Sequence, residues 1–333
     1  MSYETLAPFG SLPPERNPYY KNEQRNNLAR IGFALIAYLI LTSCVQAALT
    51  VVSEWLFPTF AQTEAFNWIL LIVPSYGIGF PFFFLFLARM PQKRPESKKL
   101  SKEGWLAFLG VAFFLMLAGN MISIVLMEFF ESLRGSEISN AVKNYMDRYS
   151  PLISFVTMVL IAPIIEELMF RKLMIDRLLP YSETLAVVTG SLFFGLIHGN
   201  FYQFFYSTML GLLFSYVYIK TGKLRYTVIM HMIINFTGTT IASFLAEVTS
   251  EEATMATSIN PWVGVAGIYS MATYILAGCG LIFLIRKRKA LTLSGIGERY
   301  LTIGTQFKLA WINAGTIVFC ILCLLTFIMS LFI

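Results

Sequence analysis

The chain has 333 residues, of which 56% are hydrophobic and 13% charged, with a mean hydropathy of +0.66. An average soluble domain is about 25% charged, so this composition excludes a disordered chain, a collagen-like repeat and a disulfide-stapled secreted module, and it argues against a soluble two-domain enzyme. The formal charge of +6 requires no nucleic acid, because Lys and Arg accumulate on the cytoplasmic side of membrane proteins.

The expected class is therefore an all-α polytopic transmembrane helix bundle in a lipid bilayer. Residues 1–27 are polar and punctuated by proline, so no cleavable signal peptide is expected, and the first apolar run reads as an anchor. About 20 apolar residues cross the hydrocarbon core as a helix. By that measure spans are predicted near 31–52, 68–88, 105–130, 151–179, 184–198, 201–219, 226–246, 262–285 and 309–333. The fifth and sixth share a break at Gly199-Asn200 and could form one helical hairpin, so eight or nine spans are expected. The polar stretch 131–149 has some helical periodicity and suggests an interfacial helix. Cys320 and Cys323 form a C-x-x-C spacing, but within an apolar run they read as small packing hydrophobes. The runs 82–86 and 201–205, rich in Phe, suit lipid-facing walls.

Charge placement supports the layout. Of the 25 Lys and Arg residues, 22 fall on alternate loops that would share one side with the N-terminus, and three fall on the other side, all within 131–150. The positive-inside rule then puts the N-terminus in the cytoplasm.

Ionisable groups inside a span are expensive unless paired, and each is a functional candidate. The chain has only two histidines, His198 and His231, and both fall in or at the edge of an apolar run. The acidic residues well inside a span are Glu166 and Glu167, followed by Arg171. Glu167 and Arg171 are four apart and share a helical face, which makes Glu167 a structural ion-pair partner. Glu166 is turned about 100° away and, held out of water, could act as a base at neutral pH. Phe194 and His198 are four apart, so the ring packs over the imidazole. His231 and Asn235 repeat that spacing and offer an imidazole and a carboxamide from one face, suited to a developing oxyanion or to metal ligation. Counted back from the span ends, Glu166 lies about 18 Å deep, His198 about 21 Å and His231 about 8–10 Å, which makes His231 the outlier. Gly195 and Gly199 are spaced for close helix approach beside His198.

Glu166-Glu167-x-x-x-Arg171, Phe194-x-x-x-His198 and His231-x-x-x-Asn235, in that order, resemble the three signatures of the CAAX protease and bacteriocin-processing (Abi) family. These are intramembrane proteases that include the type II CAAX prenyl endopeptidases. The resemblance covers about 151–244. It implies an endopeptidase in which Glu166 and His198 activate water, His231 and Asn235 stabilise the oxyanion, and Glu167, Arg171 and Phe194 support them. It also implies a substrate that is membrane-associated or lipid-modified: a prenylated C-terminus, a bacteriocin leader or a regulatory membrane protein. Family members are often described as metalloproteases, and Glu166, His198 and His231 are candidate Zn²⁺ ligands, but a glutamate–histidine mechanism without metal is also argued for the family, and the balance leans against a tightly bound structural ion. The chain has no H-E-x-x-H.

The domain organisation expected is a cytoplasmic segment at 1–30, spans over 31–145, the protease core over 146–250 and further spans over 251–333. A bacterial cytoplasmic membrane is the expected setting. Two other readings remain: a transporter or channel that relays protons through buried Glu and His, and a non-catalytic immunity or scaffold protein that keeps the motifs as structural glue.

Overall fold

A computed structural model describes residues 15–250 and 260–332, and among them every regular element is a helix. Apart from a single helical turn at Pro58–Ala61, these are in chain order α1 (Pro18–Leu56), α2 (Glu64–Ala88), α3 (Lys102–Arg134), α4 (Ala141–Arg148), α5 (Pro151–Leu178), α6 (Glu183–Leu196), α7 (Phe201–Thr221), α8 (Leu224–Val248), α9 (Pro261–Lys287), α10 (Ile303–Trp311) and α11 (Ala314–Ser330). By length and apolar composition α1, α2, α3, α5, α8 and α9 can each cross a membrane, and α10 with α11 adds a seventh if that bent pair is one span. The predicted spans 184–198 and 201–219 correspond to α6 and α7. The first has only 14 residues; the second is long enough, but its tyrosines, serines and Gln203 dilute its apolar character.

The last predicted span is not one straight helix. Its chain bends by 62° between α10 and α11. Asn313 causes the break: its Oδ1 accepts the N–H of Thr316 at 2.9 Å while its Nδ2 donates to the carbonyl of Leu309 at 2.9 Å. One side chain thus ends one helix and caps the next. The polar stretch 131–149 does contain a helix, α4, which Asn140 caps by accepting from Val142 and Lys143.

The described residues fall into two compact units. The first comprises Met1–Arg94, Met169–Gly190 and Leu293–Thr326, and the second Pro95–Leu168, Ser191–Thr292 and Phe327–Ile333. In the first, Tyr181 donates to Gln24 at 3.0 Å, and Ser182 to Gln306 at 2.5 Å, tying the α5–α6 turn to α1 and α10. On α2 of the same unit, Phe82, Phe84 and Phe86 are exposed, as expected of a lipid-facing wall, while Phe83 is buried.

The second unit has a core of buried side chains from α3, α7, α8 and α9, including Phe108, Phe113, Leu210, Phe214 and Met230. Lipid tails are as apolar as these side chains, so close packing rather than the hydrophobic effect holds such helices together. Small residues set the approach. A methyl group at Gly119 of α3 would overlap the Tyr206 backbone of α7, and one at Gly195 of α6 would overlap Thr208 of α7. Gly199 has a different role from the one its spacing suggests: it turns the chain with φ +66° just before Asn200 caps α7. The Phe-rich run 201–205 is half-buried rather than fully lipid-facing, with Phe201 and Phe204 packed on Phe327. Replacing Gly119 with Leu is expected to push α7 off α3, giving a lower melting midpoint in detergent and no folded fraction with α7 in register; an unchanged melt would show that this contact is not needed. Cys320 and Cys323 are both free thiols, the first partly and the second fully buried.

Candidate active site

All of the site residues predicted from sequence except Arg171 lie in the second unit. Glu166 and Glu167 sit on α5, Phe194 on α6, His198 in the turn after it, and His231 and Asn235 on α8. Arg171, on the same helix as the glutamates, is fully buried in the first unit. Local backbone is irregular where these groups stand. A π-turn occupies Phe155–Ile161 before Glu166, another begins at Leu168 directly after Glu167, and a third begins at Phe236 directly after Asn235. Such wide turns are uncommon and concentrate at functional sites. They also change the facing of side chains relative to an ideal helix.

Glu166, His198, His231 and Asn235 line one cavity of about 120 Å³, which also includes Phe194 and Tyr206. His198 Nδ1 lies 2.7 Å from the carbonyl oxygen of Phe194. A carbonyl only accepts, so Nδ1 carries the proton and, in the neutral ring, Nε2 keeps its lone pair. The Phe194 ring meets His198 edge-on at 5.1 Å, as their spacing predicts, and also meets His231 edge-on at 6.0 Å. This second contact was not legible in the sequence. One buried ring thus limits the rotation of both imidazoles.

His231 is 5% exposed, and its two nitrogens face different carboxylates. Nδ1 donates to Glu167 Oε1 at 3.1 Å, and Nε2 lies 3.8 Å from Glu166 Oε2. Glu167, expected from its spacing on the face of Arg171, thus also touches His231, and it is fully buried while Glu166 is 28% exposed. Phe214 covers the imidazole at 5.6 Å. Asn235 Nδ2 donates to the carbonyl of Met158 at 2.8 Å, fixing the carboxamide and leaving its second N–H to point elsewhere. Among the described residues no group of three His, Cys, Asp or Glu side chains is close enough to hold a metal ion. Glu166 and the two imidazoles thus do not form a ready three-ligand set.

A second cavity of about 290 Å³ adjoins the first, and Val142, Tyr206, Asn235 and Thr239 border both. Val142 also borders a third, of about 750 Å³, reached past Met146 and Phe244. Val142 and Met146 belong to α4. On the same helix, burial raises the Tyr145 phenol above its ordinary pKa, partly offset by the nearby Thr157 of α5.

The architecture defines an integral membrane protein of apolar helices with a buried acid–imidazole–carboxamide cluster. Residues 148–237 match the model of a protein family described as "Type II CAAX prenyl endopeptidase Rce1-like". That segment holds all three motifs, so the resemblance read from them extends over it as a continuous stretch. Neither a curated protein nor a solved structure matches the chain.

Proposed function

We propose that the chain is an intramembrane endopeptidase that hydrolyses a peptide bond of a membrane-associated or lipidated substrate. The observation that carries this reading is the common cavity lined by Glu166, His198, His231 and Asn235, within a segment similar to a family of endopeptidases.

In the proposed mechanism Glu166 and the bare Nε2 of His198 take a proton from a water in the cavity as its oxygen attacks the scissile carbonyl. The free N–H of Asn235 and, when protonated, Nε2 of His231 donate to the resulting oxyanion. Collapse of the tetrahedral intermediate requires a proton on the leaving nitrogen, which His198 returns. Glu167 fixes the His231 ring through Nδ1, and Arg171 supports the helix that carries the two acids. The wider cavity between α4 and α8 suits the flanking chain of a prenylated or membrane-bound peptide. Eight or nine membrane crossings, with α6 and α7 as a hairpin, and a cytoplasmic N-terminus in a bacterial cytoplasmic membrane complete the reading, with 146–250 as the protease core.

The test is cleavage of quenched peptides, prenylated and not, by detergent-purified protein. The mechanism runs on these side chains alone, so chelator treatment should leave the rate unchanged. Loss of activity on chelation that returns with Zn²⁺ would move Glu166, His198 and His231 from proton transfer to ligation.

A further inference from the structure

The proposed chemistry uses one face of α8, the two acids of α5 and the turn after α6, but leaves unexplained the polar groups that α7 presents to the same cavity. Tyr206 lines that cavity beside Glu166, His198, His231 and Asn235. A relay holds it there. Asn200 Nδ2 donates both to the carbonyl of His198 at 2.8 Å and to Gln203 Oε1 at 2.9 Å. Gln203 Nε2 then donates to the Tyr206 hydroxyl at 3.3 Å. The spacing of three between Asn200, Gln203 and Tyr206 stacks them along one side of the first turns of α7.

The phenol oxygen is thus an acceptor, and its own proton is left over. Among the described residues that proton meets no acceptor, although every other member of the relay is engaged. Accepting a hydrogen bond makes an O–H a stronger donor. The backbone below it is fixed, because Gly119 of α3 packs directly against the main chain of Tyr206. Tyr206 and Asn235 are also among the four residues that border both inner cavities. A carbonyl passing from the larger cavity to the smaller one would pass both the Tyr206 O–H and the Asn235 carboxamide.

Resting on the endopeptidase reading, we infer that Tyr206 is a further catalytic residue, donating a hydrogen bond to the oxyanion alongside Asn235, with Gln203 and Asn200 as positioning residues. No covalent bond forms to the phenol, and its proton stays on oxygen throughout. The donor acts on charge that appears only in the transition state, so its loss should lower kcat and leave KM nearly unchanged.

The experiment compares wild type, Tyr206→Phe, Gln203→Ala and His198→Ala on a farnesylated quenched peptide, with inhibition by a phosphinate peptide that mimics the tetrahedral intermediate. Tyr206→Phe keeps the ring and its packing. It is expected to lose on the order of 10²-fold in kcat, the scale of one oxyanion donor, and to weaken phosphinate binding by a similar factor. Gln203→Ala should show a smaller loss of the same kind, again in kcat rather than KM. Wild-type kcat in Tyr206→Phe, or a change confined to KM, overturns the inference while an inactive His198→Ala keeps the endopeptidase reading intact. A wild-type protein that cleaves nothing, or a His198→Ala that cleaves normally, removes the endopeptidase reading and the role of Tyr206 with it.

Discussion

Glu166→Gln and His198→Ala are each expected to lower kcat by on the order of 10³-fold with the fold intact, since general base catalysis contributes about 10²–10⁴. Glu166→Gln is the cleaner probe. It preserves shape, and its wild-type carboxylate is 28% exposed, so little buried charge is left unpaired. The loss should therefore appear in kcat and not in the melting midpoint. His198→Ala removes a ring that Phe194 touches but that leads into the cavity rather than the core. If the two groups act on one water, the double variant should lose little more than the worse single one, because residues acting as a unit are not additive. Additive losses would mean that they serve separate steps. Retained cleavage in either single variant would remove that residue from the chemistry.

Much of this arrangement was legible in the sequence, for a physical reason. An apolar span tolerates few ionisable groups, so each one present stands out against its surroundings. The positions of Glu166, Glu167, His198 and His231 needed no more than that, and the helical extents of α3, α5, α8 and α9 followed from run length. Depth was harder to read. Counting Glu166 from the end of α5 at Leu178 placed it far from His231. Yet α5 carries Arg171, Lys172, Asp176 and Arg177 in its last turns, and Arg171, Asp176 and Arg177 are buried in protein. Counted from the first of these charges, Glu166 lies about 7.5 Å in, close to the value for His231, which agrees with the observed 3.8 Å contact.

Facing was the other difficulty. The spacing of Glu167 and Arg171 points to one face of an ideal helix, but the π-turn that starts at Leu168 departs from that geometry, and the contact of Glu167 with His231 across to α8 has no mark in the local sequence. The role of α7 was hidden for a different reason. Gln203 sits within a run of Phe and Tyr that reads as lipid contact, although Asn200-x-x-Gln203-x-x-Tyr206 is itself a polar stripe at helical spacing. That stripe was the available signal.

The contact between Glu167 and His231 makes the most demanding prediction. Glu167 is fully buried and accepts from Nδ1 of an imidazole that is nearly so. Removing one member of a buried pair leaves its partner uncompensated, at a cost of about 3–5 kcal/mol. Glu167→Ala is therefore expected to melt well below wild type in detergent and to be inactive even at temperatures where it stays folded. Glu167→Gln separates the two effects. Its carboxamide fills the same space and still offers an oxygen to Nδ1, so most of the stability should return. It supplies no negative charge, however, so the protonated His231 ring, which donates from Nε2, loses its buried counter-charge. With His231 as a donor to the oxyanion, loss of that counter-charge is expected to lower kcat by on the order of 10²-fold. The paired measurements are decisive: near-normal melting with depressed kcat in Glu167→Gln assigns the buried acid to the support of a protonated His231. Equal activity in Glu167→Gln and wild type would leave the contact with a packing role only, and the oxyanion would then depend on Asn235 and the α7 side of the cavity.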